Sequence, residues 1–187
     1  YSRGEYKDIA KKMTKLGYNC ISVDLRSGNE ANFILNETAA NAKSLKYNQS
    51  LFECMKDIKA SIDYVLNLTP NAEIILFGSS FSASLSLLTA INNKYIKAVI
   101  AFSPGEYFEP DIKLAEKVKE INIPVFIGCT KGEYNYTKQL LNGIPSEKLT
   151  IYKPDKEEGL HGAKTLWWES SSRNEYWLAL LFFINRL

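Results

Sequence analysis

The stretch Ile74-Ile75-Leu76-Phe77-Gly78-Ser79-Ser80-Phe81-Ser82-Ala83-Ser84 constrains the fold more than any other part of the chain. Four consecutive apolar residues run into Gly-Ser-Ser-Phe-Ser, and Leu85, Leu87, Leu88 and Ile91 follow. That order reads as a buried strand, a sharp turn and an amphipathic helix. A turn tight enough to lift one hydroxyl above a sheet brings its flanking backbones together, so the positions two before and two after it must be small. Gly78 and Ser82 meet that requirement and leave Ser80 at the apex, the layout of a nucleophile elbow. In this reading the Phe81 N–H points where an oxyanion would form. Ser79, Ser80 and Ser82 are also the residue type that caps helix N-termini. Gly-x-Ser-x-Ser, in place of the commoner Gly-x-Ser-x-Gly, leaves both readings open when taken alone.

The remaining composition removes several classes of function. The chain has 187 residues, 45% of them apolar, enough to bury a substantial core as a single domain over residues 1–187. A net charge of +2, mixed along the sequence, supplies no basic face for nucleic acid. One histidine excludes a His-rich metal cluster, and no metal or organic cofactor is expected. Cys20, Cys54 and Cys129 are odd in number and set in apolar segments, which suits buried thiols better than a disulfide framework. The longest apolar run, residues 177–184, is about half or less of a bilayer span. The first residue is Tyr1 rather than Met, so either a cytoplasmic or an exported location is compatible with the sequence.

Strand and helix patterns alternate along the chain. Residues 4–15 carry Tyr6, Ile9, Ala10 and Met13 at helical spacing and end at Gly17, a C-terminal cap. Residues 18–25 read as a strand, 29–50 as a long polar excursion, and 51–66 as a helix with Phe52, Met55, Ile58, Ile62 and Val65 on one face. After the Ser80 turn, strands are expected at 96–102, 124–129 and 149–152, helices at 114–121, 136–141 and 173–187, and a charged loop at 154–166. This alternation predicts an α/β fold, a mostly parallel sheet with helices on both faces, whose sites form at the carboxyl ends of the strands.

Ser80, Glu133 and His161 each follow one of these strands. His161, the only imidazole, lies in the glycine-flanked Glu158-Gly159-Leu160-His161-Gly162-Ala163, where packing gives no reason for it. Serine, then acid, then histidine is the chain order of one class of catalytic triads. Glu133 is the leading acid, and Glu106, after the preceding strand, is the alternative; a solvated loop charge is the bland reading of both. Tyr107, Phe108 and Trp167, with Tyr134, Tyr136, Trp168 and the 29–50 excursion, are candidates to line an acyl pocket, and ordinary packing explains each as well.

Gly78-Ser79-Ser80-Phe81-Ser82, the Glu133 loop and His161-Gly162-Ala163-Lys164-Thr165-Leu166-Trp167 together resemble the α/β-hydrolase superfamily over essentially the whole chain. Ser2-Arg3-Gly4-Glu5-Tyr6, Asp24-Leu25-Arg26-Ser27-Gly28 and Ser103-Pro104-Gly105-Glu106-Tyr107-Phe108 are similar to a bacterial group of uncharacterised hydrolases within it. The resemblance implies a serine hydrolase that cleaves a carboxylic ester, thioester or amide of a small molecule through an acyl-enzyme. It also implies a strand and an oxyanion loop ahead of Tyr1, and the expectation is that these lie upstream of the sequence or that another segment fills the strand's place between the Cys20 and Ile74 strands. A hydrolase fold used as a non-catalytic binding module is the competing reading, compatible with Ser82 and with Glu in place of the more frequent Asp. A nucleotide-binding domain has no Gly-x-Gly-x-x-Gly or Walker loop to support it.

Overall fold

The computed structural model describes all of residues 1–187, which form two compact units, 1–68 and 69–187. In the first unit a turn of 3-10 helix, Arg3–Tyr6, leads into α1 (Lys7–Lys15), which buries Ile9 and Met13. Gly17, at φ +94°, ends the helix, with its N–H on Thr14 O and the Tyr18 N–H on Met13 O. This left-handed cap satisfies terminal carbonyls and favours a residue without Cβ. α2 (Glu37–Ser44) and α3 (Met55–Leu68) complete the unit.

Three expectations for this unit need correction. Residues 18–25 form no strand: they are extended but pair with no ladder, and Ile21 is 52% exposed. A strand exists through its partner, and here side chains hold the backbone instead. Asp24 accepts from the Arg3 and Glu37 N–H groups at 2.6 and 3.1 Å, and Asn36 donates to Leu25 O at 3.0 Å. The 29–50 excursion is partly helical, because Asn36 caps α2 by accepting from the Ala39 N–H at 2.8 Å, and Ala42 is buried beneath it. Cys20 is exposed, as its segment has no sheet to bury it.

The second unit is a four-stranded parallel sheet in the order β1 (Ile74–Ser79), β2 (Ile96–Phe102), β3 (Val125–Gly128), β4 (Leu149–Tyr152). Its helices are α4 (Phe81–Ala90), α5 (Leu114–Lys117), α6 (Tyr134–Leu140) and α7 (Arg173–Ile184). α4 packs on β1 and β2, and α7 on β3 and β4. The central strands are nearly continuous apolar runs, buried everywhere except at Lys97, as parallel strands covered by helices must be. β1 is less buried than expected, with Ile74 to Phe77 half-exposed, because it is an edge strand hydrogen-bonded only to β2.

Phe102 centres the core, its ring 5.5 Å from Phe77, 5.9 Å from Phe126 and 6.1 Å from Tyr176. It lies so close to Gly128 that a Cβ there would stand 2.3 Å from its Cε1. Fully burying such a side chain contributes on the order of 2–3 kcal/mol. The packing therefore fixes β2 against β3 just below the loops that carry Ser103 and Glu133. Cys54 and Cys129 are buried, and burial pushes their thiols up to about 11 and about 12, so neither offers a thiolate near neutral pH. No helix is long and apolar enough to cross a membrane.

Candidate active site

Four loops leave the carboxyl ends of β1 to β4 and carry Ser80, Ser103, Glu133 and His161 in turn. Ser80 has φ 56° and ψ −126°, backbone that an L-residue adopts only when its surroundings impose it. The imposition is visible. The Ser80 N–H donates to Phe102 O at 2.8 Å, and a Cβ on Gly78 would stand 2.5–2.7 Å from the backbone of Ser82 and Ala83. Only glycine fits at Gly78. Ser82 does more than stay small: its hydroxyl donates to Ser79 O at 2.8 Å and accepts from the Ser79 N–H at 2.9 Å, closing the turn on itself.

Ser80 occupies the N-cap position of α4, yet its hydroxyl makes no capping bond. Oγ lies instead 3.0 Å from His161 Nε2. His161 Nδ1 lies 2.5 Å from Glu133 Oε1. Glu133 Oε2 accepts from the Ser103 hydroxyl at 2.7 Å and the Thr130 N–H at 3.0 Å. Burial works to raise the Glu133 pKa, but the bonds from His161, Thr130 and Ser103 outweigh it and hold the carboxyl down at about 2. Glu133 is therefore an anion at neutral pH. The proton between it and Nδ1 must sit on the imidazole, which leaves Nε2 free to accept from Ser80.

Two serines outside the chain of three hold the histidine loop. Gly162, at φ +76°, turns the backbone after His161. Its N–H donates to Ser103 Oγ at 2.9 Å, and the Ala163 N–H donates to Ser79 Oγ at 2.9 Å. Ser103, itself at φ 51°, thus joins the acid to the residue after the imidazole. Glu158 ties the two loops from the other side, accepting the Gly132 N–H at 2.8 Å and the Lys131 N–H through its backbone at 3.0 Å. Sequence reasoning missed Ser79, Ser103, Thr130 and Glu158. Their one sequence signal is position, each lying at a strand end or beside a candidate.

The other candidates are placed as follows. The Glu106 carboxylate accepts from the Leu114 and Ala115 N–H groups at 2.7 and 2.8 Å, capping α5, which commits it to a structural task. Phe81 opens α4, where its N–H has no intrahelical acceptor by position. Tyr107 brings its hydroxyl 3.0 Å from Ser80 Oγ. Phe108 is buried beside the Tyr107 ring, with centroids 6.2 Å apart. Trp167 is half-buried after the histidine turn and Trp168 exposed. Tyr136 accepts the Glu106 N–H at 3.0 Å, and Lys153 lies 5.6 Å over the Tyr134 ring.

Comparison with known proteins agrees with this architecture. No curated protein matches the chain. A Klebsiella pneumoniae structure provisionally named a dienelactone hydrolase is similar over 100% of this chain and 84% of its own, with a TM-score of 0.69 and 17% identity. An esterase from Pyrococcus furiosus is similar over 72% of this chain and 62% of its own, with a TM-score of 0.55 and 15% identity. At such identities the likeness shows the fold, a parallel sheet with helices. The family model described as the dienelactone hydrolase family matches residues 2–154, so the chain belongs to that family of hydrolases within the α/β-hydrolase superfamily.

Proposed function

We propose that this chain is a serine hydrolase that cleaves a small carboxylic ester, thioester or amide through Ser80, His161 and Glu133. The observation that carries the reading is the hydrogen-bonded chain from Ser80 Oγ through His161 to an ionised Glu133, built on a strained elbow. His161 Nε2 takes the Ser80 proton as Oγ attacks the carbonyl carbon and returns it to the leaving group. Glu133 keeps Nδ1 protonated and stabilises the imidazolium that forms between those two events. The acyl-enzyme is then hydrolysed by water with the same histidine as base. The Phe81 N–H is one oxyanion donor, and the pocket candidates are Tyr107, Phe108 and Trp167.

Both named neighbours act on an acyl–oxygen bond by their names, a dienelactone hydrolase and an esterase. Those names support an ester or a lactone ahead of an amide. Hydrolysis of a p-nitrophenyl ester series, from acetate to octanoate, by wild type, Ser80→Ala and His161→Ala is the test. Activity lost in both variants, with fluorophosphonate labelling of Ser80 in wild type, is the expected result. Activity that survives Ser80→Ala would overturn the assignment, and a wild type that neither hydrolyses nor labels would favour a binding module.

A further inference from the structure

Ser80 Oγ has two polar neighbours, and the proposed catalytic chain uses only one. Besides His161 Nε2 at 3.0 Å, the Tyr107 hydroxyl lies 3.0 Å away. The serine has a single proton. When that proton is donated to Nε2, the second contact exists only if the phenol donates its own O–H to Oγ. Tyr107 therefore presents a hydrogen-bond donor at the reacting atom before any substrate arrives.

The loop after β2 is built to hold that hydroxyl in place. Ser84, one turn into α4, donates to Gly105 O at 2.8 Å and accepts from the Gly105 N–H at 3.0 Å, tying the loop to the elbow helix. The Tyr107 ring lies against Gly105, where a Cβ would stand 3.1 Å from Cε2. On one side Glu106 is pinned by the α5 amides and by Tyr136, and on the other Phe108 is buried. A group fixed this firmly loses little freedom when it binds a reacting atom.

We propose that the Tyr107 hydroxyl is a side-chain donor of the oxyanion hole, acting with the Phe81 N–H; this rests on the serine-hydrolase reading. On attack the Oγ–carbon bond forms, the Oγ proton passes to Nε2, and the carbonyl π pair becomes a lone pair on oxygen. Oγ is then a weak acceptor, and the new oxyanion is bonded to the same carbon. The phenol turns from one to the other and keeps its proton. Collapse restores the carbonyl, breaks the bond to the leaving group and passes the Nε2 proton to it. A bond that strengthens only as charge develops raises kcat rather than lowering KM.

The experiment compares wild type, Tyr107→Phe, Gly105→Ala and the double variant on the best p-nitrophenyl ester. Tyr107→Phe is expected to lower kcat about 10²-fold with KM changed no more than about twofold. Its affinity for a trifluoromethyl ketone, which adds to Ser80 as an oxyanion, falls by the same factor, while the corresponding secondary alcohol binds unchanged. Gly105→Ala, which pushes the ring aside without removing the hydroxyl, gives a smaller loss and no further loss in the Tyr107→Phe background. An unchanged or raised kcat in Tyr107→Phe overturns the proposal, as does a rise in KM that accounts for the whole effect. Wild type without Ser80-dependent hydrolysis or labelling overturns the hydrolase reading as well. Ser80-dependent hydrolysis that is indifferent to Tyr107→Phe overturns this proposal alone.

Discussion

Residues 1–68 and 69–187 hold their backbones by different means. In the first unit the only bridge is the isolated pair Ala31 and Ile34, and much of the non-helical chain is held by side chains. Asp57 accepts from both the backbone and the guanidinium of Arg26, at 2.8 and 2.7 Å, and Gln49 donates to Arg26 O and Ala39 O at 2.8 and 2.9 Å. In the second unit the strands satisfy one another, and the polar side chains at their ends are free for other work. Ser79, Ser82, Ser84 and Ser103 there tie loops to loops around Ser80. The lesson is one of allocation: where a ladder carries the backbone, a hydroxyl can be placed for chemistry, and where no ladder exists, carboxylates and amides do the holding.

Large apolar side chains are exposed in both units, Phe33, Leu35, Leu45 and Tyr47 at 98, 67, 61 and 63% in the first and Trp168, Leu178 and Phe182 at 71, 57 and 60% in the second, but the fully buried rings, Phe102, Phe126 and Tyr176, all lie in the second. A parallel sheet under helices offers a continuous surface on which large rings pack, and short helices joined by irregular chain do not.

The sharpest test of the second unit's part is loss of the proposed chemistry. Ser80→Ala and His161→Ala should each lower ester hydrolysis about 10⁴-fold or more while thermal unfolding stays within a few degrees of wild type. Next in size is Glu133→Gln, which keeps the shape and removes the charge. Turnover should drop about 10³–10⁴-fold, read as kcat on the same ester.

The same variant has a signature in stability against pH. Glu133 is held at about 2 in the folded protein against an ordinary 4.5. A carboxyl lowered on folding contributes stability that is fully present above pH 4.5 and lost as pH falls through about 2. Urea unfolding should therefore show a steeper acid loss between those values in wild type than in Glu133→Gln. Equal slopes would mean that the bonds from His161, Ser103 and Thr130 do not hold the charge.

In the first unit Asp57→Ala should cost about 2 kcal/mol, measured by urea unfolding, because the Arg26 guanidinium loses a charged partner and the Arg26 backbone N–H loses its acceptor. A loss below about 0.5 kcal/mol would break the claim that side chains carry this unit. The smallest effect expected is for Ser82→Gly. It restores the commoner motif but removes the latch on Ser79, and kcat should change no more than about tenfold, with stability down about 1 kcal/mol.

Much of the second unit was legible from pattern. The apolar runs at 96–102 and 149–152 are strands with those bounds, and the run at 74–77 enters the elbow helix as its composition suggests. A run of four to seven apolar residues between turn signals has few other solutions in an alternating chain. Residues 18–25 carry the same local pattern and form no strand, since pairing depends on a neighbour that no local pattern encodes. Cys20 was misjudged for the same reason.

The candidate site divides in a similar way. Ser80, His161 and Glu133 are candidates on sequence grounds alone: Ser80 lies between small residues, His161 has no competing imidazole, and Glu133 follows a strand. Sequence position ranks Glu133 ahead of Glu106 without removing Glu106, as both are glutamates just beyond a strand. Only the helix amides at Leu114 and Ala115, eight and nine residues further on, show where its charge is spent.

By itself the sequence determined the alternation of elements, the parallel sheet and the order of the candidate residues, because hydrophobic period and turn chemistry are local properties. The tertiary structure decided which strands have partners, that Glu133 and not Glu106 meets the imidazole, and that the Tyr107 hydroxyl stands at Ser80 Oγ. These are distances between residues 27 to 81 positions apart, set by how β1 to β4 lie side by side, and hydrogen bonds reach only about 3 Å.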